Sequence, residues 1–228
     1  MSLDADKVIA EVSSLGIKVK WLGHASFQIR ANGKYIYIDP YEGEYREKAD
    51  LVLVTHSHYD HCDASKINKV IKEDTLIICP PDCASKIRGN VKVIKPGEKF
   101  TLNDITVEAV HAYNYKRFRS PGNPFHPKGF GVGYVITIGD HKIYHAGDTD
   151  FIPEMKALKD ISLALLPSGG TYTMDNSEAA DAALAIKPKA VIPMHRWDVS
   201  PEEFKKKVEG SSDIKVVVLE PGEEYELS

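Results

Sequence analysis

An α+β fold, arranged as a four-layer αββα sandwich in a single domain, is what this sequence predicts. Three observations carry it. Short apolar runs bounded by turn residues recur from Ile17 to Leu219, the mark of buried strands. The first half reads ββ and then αβαβ, and the strand-rich character of residues 17–98 returns in residues 99–228. No low-complexity segment or linker separates the two. Two such units packed sheet against sheet, with helices outside, give the sandwich.

Residues 4–14 read as a short amphipathic helix ending before Gly16. Strands follow over 17–22, 26–30 and 35–38, the last two joined by the turn Ala31-Asn32-Gly33-Lys34. Residues 51–54, Leu-Val-Leu-Val, are continuously apolar and form a buried strand. A helix containing 66–71 takes Asp63 or Ser65 as its cap. Then come a strand at 76–79, a short helix at 82–88 and a strand at 91–94. In the second half, strands at 99–102 and 105–110 meet through Asn103-Asp104. Residues 112–130 hold Pro121, Pro124 and Pro127 and are too long for an ordinary connection, which points to a functional or lid loop. A second hairpin, 133–138 with 142–144, turns at Gly139-Asp140. The chain continues with a short helix at 153–158, a strand at 161–166 and an alanine-rich helix at 176–187 behind Asp175 or Asn176. It closes with a strand at 190–193, a helix from Pro201 to Val208 with proline at its start, and a strand at 215–219.

Lys plus Arg number 29 against 33 Asp plus Glu, a net charge of -4, so no general attraction to a nucleic-acid polymer or an anionic membrane is expected. The start, MSLDADKVIAEVSSLG, lacks a secretory apolar core, and no run approaches the roughly 20 residues of a membrane span. Three cysteines, an odd number, fit a reducing compartment; a cytoplasmic protein is expected. Cys79 and Cys83 have the spacing of a metal pair, but no second pair completes a set of four ligands, and burial explains them better. The oligomeric state is left open, a homo-oligomer included.

The densest chemistry lies at Thr55-His56-Ser57-His58-Tyr59-Asp60-His61, directly after the apolar strand. Imidazole and carboxylate together suit zinc, manganese and iron. On an extended segment His56 and His58 point the same way, and the following turn lets Asp60 and His61 face a second ion. Further candidates stand where strands give way to loops: His111, Asp148 and His195.

The Thr55–His61 run resembles the metal-binding signature of the metallo-β-lactamase superfamily, whose fold is the αββα sandwich. That resemblance implies two divalent metal ions, zinc first, with manganese and iron as alternatives. His56, His58 and His111 would hold one, Asp60, His61 and His195 the other, and Asp148 would bridge them. His126 is the rival of His111. The strand before His111 anchors it, whereas a Pro/Gly loop carries His126, and His111 is therefore the expected ligand. A hydroxide held between the ions would be the nucleophile, with Asp60 and Asp148 as the catalytic carboxylates. Leu22-Gly23-His24-Ala25-Ser26-Phe27, Ile38-Asp39-Pro40, His145-Ala146-Gly147-Asp148-Thr149 and Pro193-Met194-His195 look like the small ascorbate-6-phosphate-lactonase-like hydrolases. N-acyl-phosphatidylethanolamine phospholipases share parts of this pattern.

Asp39 could orient a ligand histidine, or simply make an Asp-Pro turn. His24 stands at a strand–turn boundary and could face the site. Tyr172, in Gly169-Gly170-Thr171-Tyr172, could line a rim and donate to a substrate oxygen. The cations and aromatics of 112–130 suit a small, anionic substrate. Metal-dependent hydrolysis of a small ester or lactone, phosphorylated or not, leads. Phosphodiester cleavage of a nucleotide or phospholipid, and a non-catalytic metal- or partner-binding role, are the alternatives.

Overall fold

Side-chain alternation decides the layers. Along β1 (Ile17–Gly23), Ile17, Val19 and Trp21 face one core; in β3 (Lys34–Ile38), Ile36 and Ile38 join it while Tyr37 turns to the other side. β4 (Leu51–Leu53) and β5 (Leu76–Cys79) are buried at every position, as parallel strands covered on both faces must be. The structure is a computed structural model and describes residues 16–227; the helix expected over 4–14 lies outside them.

Seven strands form the first sheet in the order β16-β1-β2-β3-β4-β5-β6, with β2 at Ser26–Ala31, β6 at Asn90–Val93 and β16 at Glu224–Leu227. The second also has seven, in the order β15-β14-β13-β12-β11-β8-β7. Its strands are β7 (Lys99–Leu102), β8 (Ile105–Ala112), β11 (Gly131–Ile138), β12 (His141–His145), β13 (Leu163–Pro167), β14 (Ala190–Met194) and β15 (Lys215–Val216). Three apolar clusters separate four layers. One contains inward residues of both sheets, among them Phe27, Ile38, Leu53, Ile136, Leu165 and Ile192. A second joins the outer face of the first sheet to helix α1 (Ala64–Val70) through Val52, Ile77, Ile67 and Val70. The third joins the second sheet to α3 (Asn176–Ile186) and α4 (Glu202–Glu209) through Ala164, Val191, Ala183 and Phe204. The αββα sandwich follows.

Local chemistry sets the helix ends. Asp63 caps α1 by accepting from the backbone N–H groups of Ser65 and Lys66, and Asp175 caps α3 through Glu178 N–H. The helix expected at 82–88 is one turn, α2 (Pro81–Ala84), because Ile87 alone of the next four residues is buried and little rewards a second turn. Residues 153–157 form a 3-10 turn. Residues 112–130 contain a small hairpin, β9 (Phe118–Ser120) with β10 (Asn123–Pro124). The expected last strand ends early, at Val216, and the chain then adds β16, which the sequence reading lacked. β16 crosses to the first sheet and pairs antiparallel with β1, Ile17 opposite Leu227.

Candidate metal centre

The loops leaving β4, β12 and β14 gather at one end of the sandwich, at the carboxyl ends of parallel strands, where such sheets place ligands. Four of the residues there hold positive φ without being glycine: His24 (49°), Asp39 (45°), His195 (46°) and Trp197 (48°). Non-glycine residues adopt that region at a cost and cluster at functional sites. Close approach matters too. A Cβ on Gly131, at the start of β11, would meet the His56 Cβ at 2.7 Å.

Asp39 is fully buried and organises the turn. One oxygen accepts the Thr55 backbone N–H at 2.7 Å; the other accepts the Thr55 hydroxyl at 2.6 Å and faces His61 Nδ1 at 2.7 Å. With its proton held on Nδ1, His61 presents a lone pair at Nε2. That nitrogen is buried without a hydrogen-bond partner and lies 3.4 Å from Asp148 Oδ1, itself buried and unpartnered. Two acceptors facing each other in a dry site call for a positive charge between them, a proton or a cation. Burial opposes charging His61, but Asp148 and Asp39 raise its pKa well above 6.5.

A second convergence surrounds His58. Its Nδ1 lies 3.0 Å from His56 Nε2 and 3.2 Å from His126 Nε2. Burial pushes His56 well below 6.5 and His58 down to about 4, so both rings are neutral at pH 7, the state in which imidazole binds metal. His126 Nδ1 is held at 2.6 Å by the Asn114 side-chain oxygen, which leaves Nε2 turned inward, 3.3 Å from Asp148 Oδ2.

Among the described residues, three groups have ligand atoms within 4.8 Å of one another: His56, His58 and His126; His56, His61 and Asp148; and His24, Asp60, His61 and His195. Asp148 connects them, with Oδ2 3.1 Å from His195 Nε2 and 4.0 Å from His56 Nε2. Burial works against its charge, but His195 and His61 hold its pKa well below 3.8. Asp60 is likewise penalised by burial, yet the His24 Nε2 contact at 3.1 Å brings it to about 2. Orphaned lone pairs, neutral imidazoles and ionised carboxylates all fit divalent cations.

His111 is the correction. The structure brings His126 into the cluster and puts His111 beside Glu108, Tyr144 and Met155, lining a separate cavity of about 290 Å³. The Pro/Gly loop that carries His126 is tied down. Asn114, 3% exposed, receives the His126 backbone N–H and donates to Asp150 Oδ1 and to the Tyr172 carbonyl. Asp150 in turn accepts the backbone N–H groups of Tyr115 and Lys116 and the Arg117 guanidinium. Asn114→Ala is therefore expected to weaken metal binding about 10- to 100-fold, as loss of a ligand's orienting partner does, measured by competition with a chromophoric chelator.

His24 sits inside the site, its ring centroid 3.9 Å from that of His195. Cys62, Cys79 and Cys83 are free, buried and absent from the candidate groups. Above the cluster opens a cavity of about 500 Å³ lined by His58, Asp60, Asp148 and His195 below and by Tyr59, Arg119, Phe125, Tyr172 and Trp197 around the rim. Trp197 escaped the reading; its signal is an exposed aromatic two residues beyond a strand-end histidine.

Residues 18–195 match the beta-lactamase superfamily domain. The chain is 34% identical over 232 residues to a metal-dependent hydrolase of Methanopyrus kandleri, spanning 92% of this chain and 100% of that protein. It is 36% identical over 230 residues to one of Pyrococcus abyssi, with 92% and 100% covered. A crystal structure from Parabacteroides distasonis superposes with a TM-score of 0.83 at 36% identity, covering 89% of this chain and 92% of that one. A metallo hydrolase from Ignicoccus hospitalis gives 0.77 at 29%, covering 93% and 98%.

Proposed function

The chain belongs to the beta-lactamase superfamily, and on that premise we propose that it hydrolyses small esters or lactones, phosphorylated ones included, with two divalent cations at the Asp148 cluster. The observation that carries this reading is the place of Asp148 under the open cavity, its carboxylate within 4.0 Å of His56 and His126 of the all-imidazole group and of His61 and His195 of the mixed one. His56, His58 and His126 would hold one ion, and Asp60, His61 and His195 the other, with Asp148 between them. Zinc is the expected ion, and manganese and iron suit the same donors. When bound, such ions lower the pKa of water and stabilise charge on the oxygens of the bond being cut.

The chain's own residues do the rest. Asp39 and Asn114 fix which ring nitrogen of His61 and His126 carries the proton, so the other nitrogen keeps its lone pair. His24 Nε2 holds one oxygen of Asp60 at 3.1 Å and so fixes that carboxylate beside His61 and His195. Among the described residues no serine or cysteine lines the cavity, so no serine hydroxyl or cysteine thiol competes with water as the nucleophile. Resemblance of the Gly23-His24 and Asp148-Thr149 segments to lactonase-like hydrolases supports the choice of a lactone.

The test is metal add-back to chelator-stripped protein with a panel of lactones, simple esters and phosphodiesters. Turnover of lactones or esters that returns with the metal is expected. Turnover of a phosphodiester alone would replace this reading with the phosphodiesterase one.

A further inference from the structure

Deepening the hydrolytic reading above, and resting on it, we propose that Arg119 is a specificity-determining residue that receives an oxyanion on the substrate, so that the cavity selects small anionic molecules with a flat apolar body. The loop from Ala112 to Phe130 carries Lys116, Arg117, Arg119 and Lys128. Three of these are already engaged. Lys116 pairs with Glu178 at 2.7 Å, Arg117 with Asp150 at 2.6 Å and also with Glu178, and Lys128 with Glu154 at 2.7 Å. Among the described residues Arg119 has no carboxylate partner and is the one Lys or Arg lining the 500 Å³ cavity. The β9–β10 hairpin carries it, and its guanidinium lies over the Phe125 ring, 5.4 Å from the centroid.

Its polar contact within the protein is with a histidine of the cluster: Nη2 is 3.2 Å from His58 Nε2. Nδ1 of the same ring faces His56 and His126. An imidazole that gives its Nδ1 lone pair to a cation carries its proton on Nε2, and a guanidinium then finds a donor there instead of an acceptor. The Arg119 fork needs another acceptor, and a carboxylate or phosphate supplies two oxygens at matching spacing. The walls describe the remainder of the ligand. Phe125 and Tyr172 stand edge to face, 4.8 Å apart, on the Arg119 side, and the half-exposed Trp197 lies 4.7 Å from His24 at the other donor group. Aromatic faces with one convergent cation suit an apolar ring or short acyl body ending in an oxyanion.

Isothermal titration of the metal-loaded protein tests this with phenyl phosphate, benzoate and neutral benzyl alcohol. Arg119→Gln is expected to weaken one or both anions about 10- to 100-fold, the size of a lost charge-assisted contact. Arg119→Lys should recover part of that loss. Lys116→Gln, whose ammonium Glu178 already holds, should bind as the unmodified protein does, and benzyl alcohol should not distinguish Arg119→Gln from it. A loss confined to phenyl phosphate assigns a phosphoryl group; a loss confined to benzoate assigns a carboxylate. Binding of both anions within twofold after Arg119→Gln overturns the proposal, as does an equal loss from Lys116→Gln. Because the readout is binding, Arg119-dependent affinity together with an inactive ester panel would count against hydrolysis and not against the anion site.

Discussion

Asp148→Asn is expected to abolish the function while leaving the fold intact. The carboxylate touches every candidate group: Oδ1 faces His61, and Oδ2 faces His195, His126 and His56. Asparagine keeps the shape and removes the charge. One position becomes an NH2 group, a donor with no lone pair for a cation, pointing at histidine nitrogens that must themselves stay unprotonated to bind metal. Both proposed ions lose a ligand in one step. Metal content should fall below two equivalents per chain by elemental analysis, and kcat/KM should drop about 10²- to 10³-fold or more. Circular dichroism should stay native, since the sheets pack through apolar clusters that exclude this residue. Two metal equivalents with turnover within a few fold of the unmodified protein would remove Asp148 from the centre.

What the sequence made legible depends on how far apart the decisive partners lie. Leu51-Val52-Leu53-Val54 announces a strand because alternate residues serve two cores, and no distant partner is needed to see it. The Thr55–His61 cluster announces metal chemistry for the same reason: its donors are contiguous. β16 was missed because Glu-Tyr-Glu-Leu offers just Tyr225 and Leu227 to a core whose other wall begins some 200 residues earlier in the chain. The preference for His111 failed on the same ground. A strand looks like a firmer support than a proline-rich loop, but the firmness of that loop comes from Asn114 and Asp150, and their bond spans 36 residues. The left-handed backbone at His24, Asp39 and His195 was equally hidden, since β-region and left-handed conformations of His and Asp differ by tertiary support, not by residue type. Charges in the 112–130 loop were visible from the start. Which of them is free, Arg119, depended on Glu154 and Glu178, acids on other elements.

Asp39 offers the largest effect from a residue that belongs to none of the candidate groups, and two substitutions separate its two roles. Asp39→Asn suits the backbone, because asparagine tolerates φ near 45° better than most residues do. It can still accept the Thr55 backbone N–H through its remaining oxygen. Its NH2 group, however, would face the Thr55 hydroxyl and His61 Nδ1, where Oδ2 now accepts from both. His61 responds by moving its proton to Nε2, the nitrogen turned toward Asp148, so the ring arrives in the wrong tautomer for a cation. Metal affinity should fall about 10- to 100-fold, as it does when a ligand histidine loses its carboxylate, with a modest change in stability. Asp39→Ala is harsher. It strands two buried donors of Thr55 and one of His61 and forces a Cβ-bearing residue without a side-chain acceptor to hold positive φ. A cost of about 3–5 kcal/mol is expected, equivalent to a fall in Tm of roughly 10 °C for a chain of this size. Chelator competition reads the first variant and thermal unfolding of metal-free protein reads the second. Native metal affinity in Asp39→Asn would show that His61 is oriented by something other than this carboxylate. An unchanged Tm in Asp39→Ala would show that the bonds to Thr55 and His61 contribute nothing net to the fold.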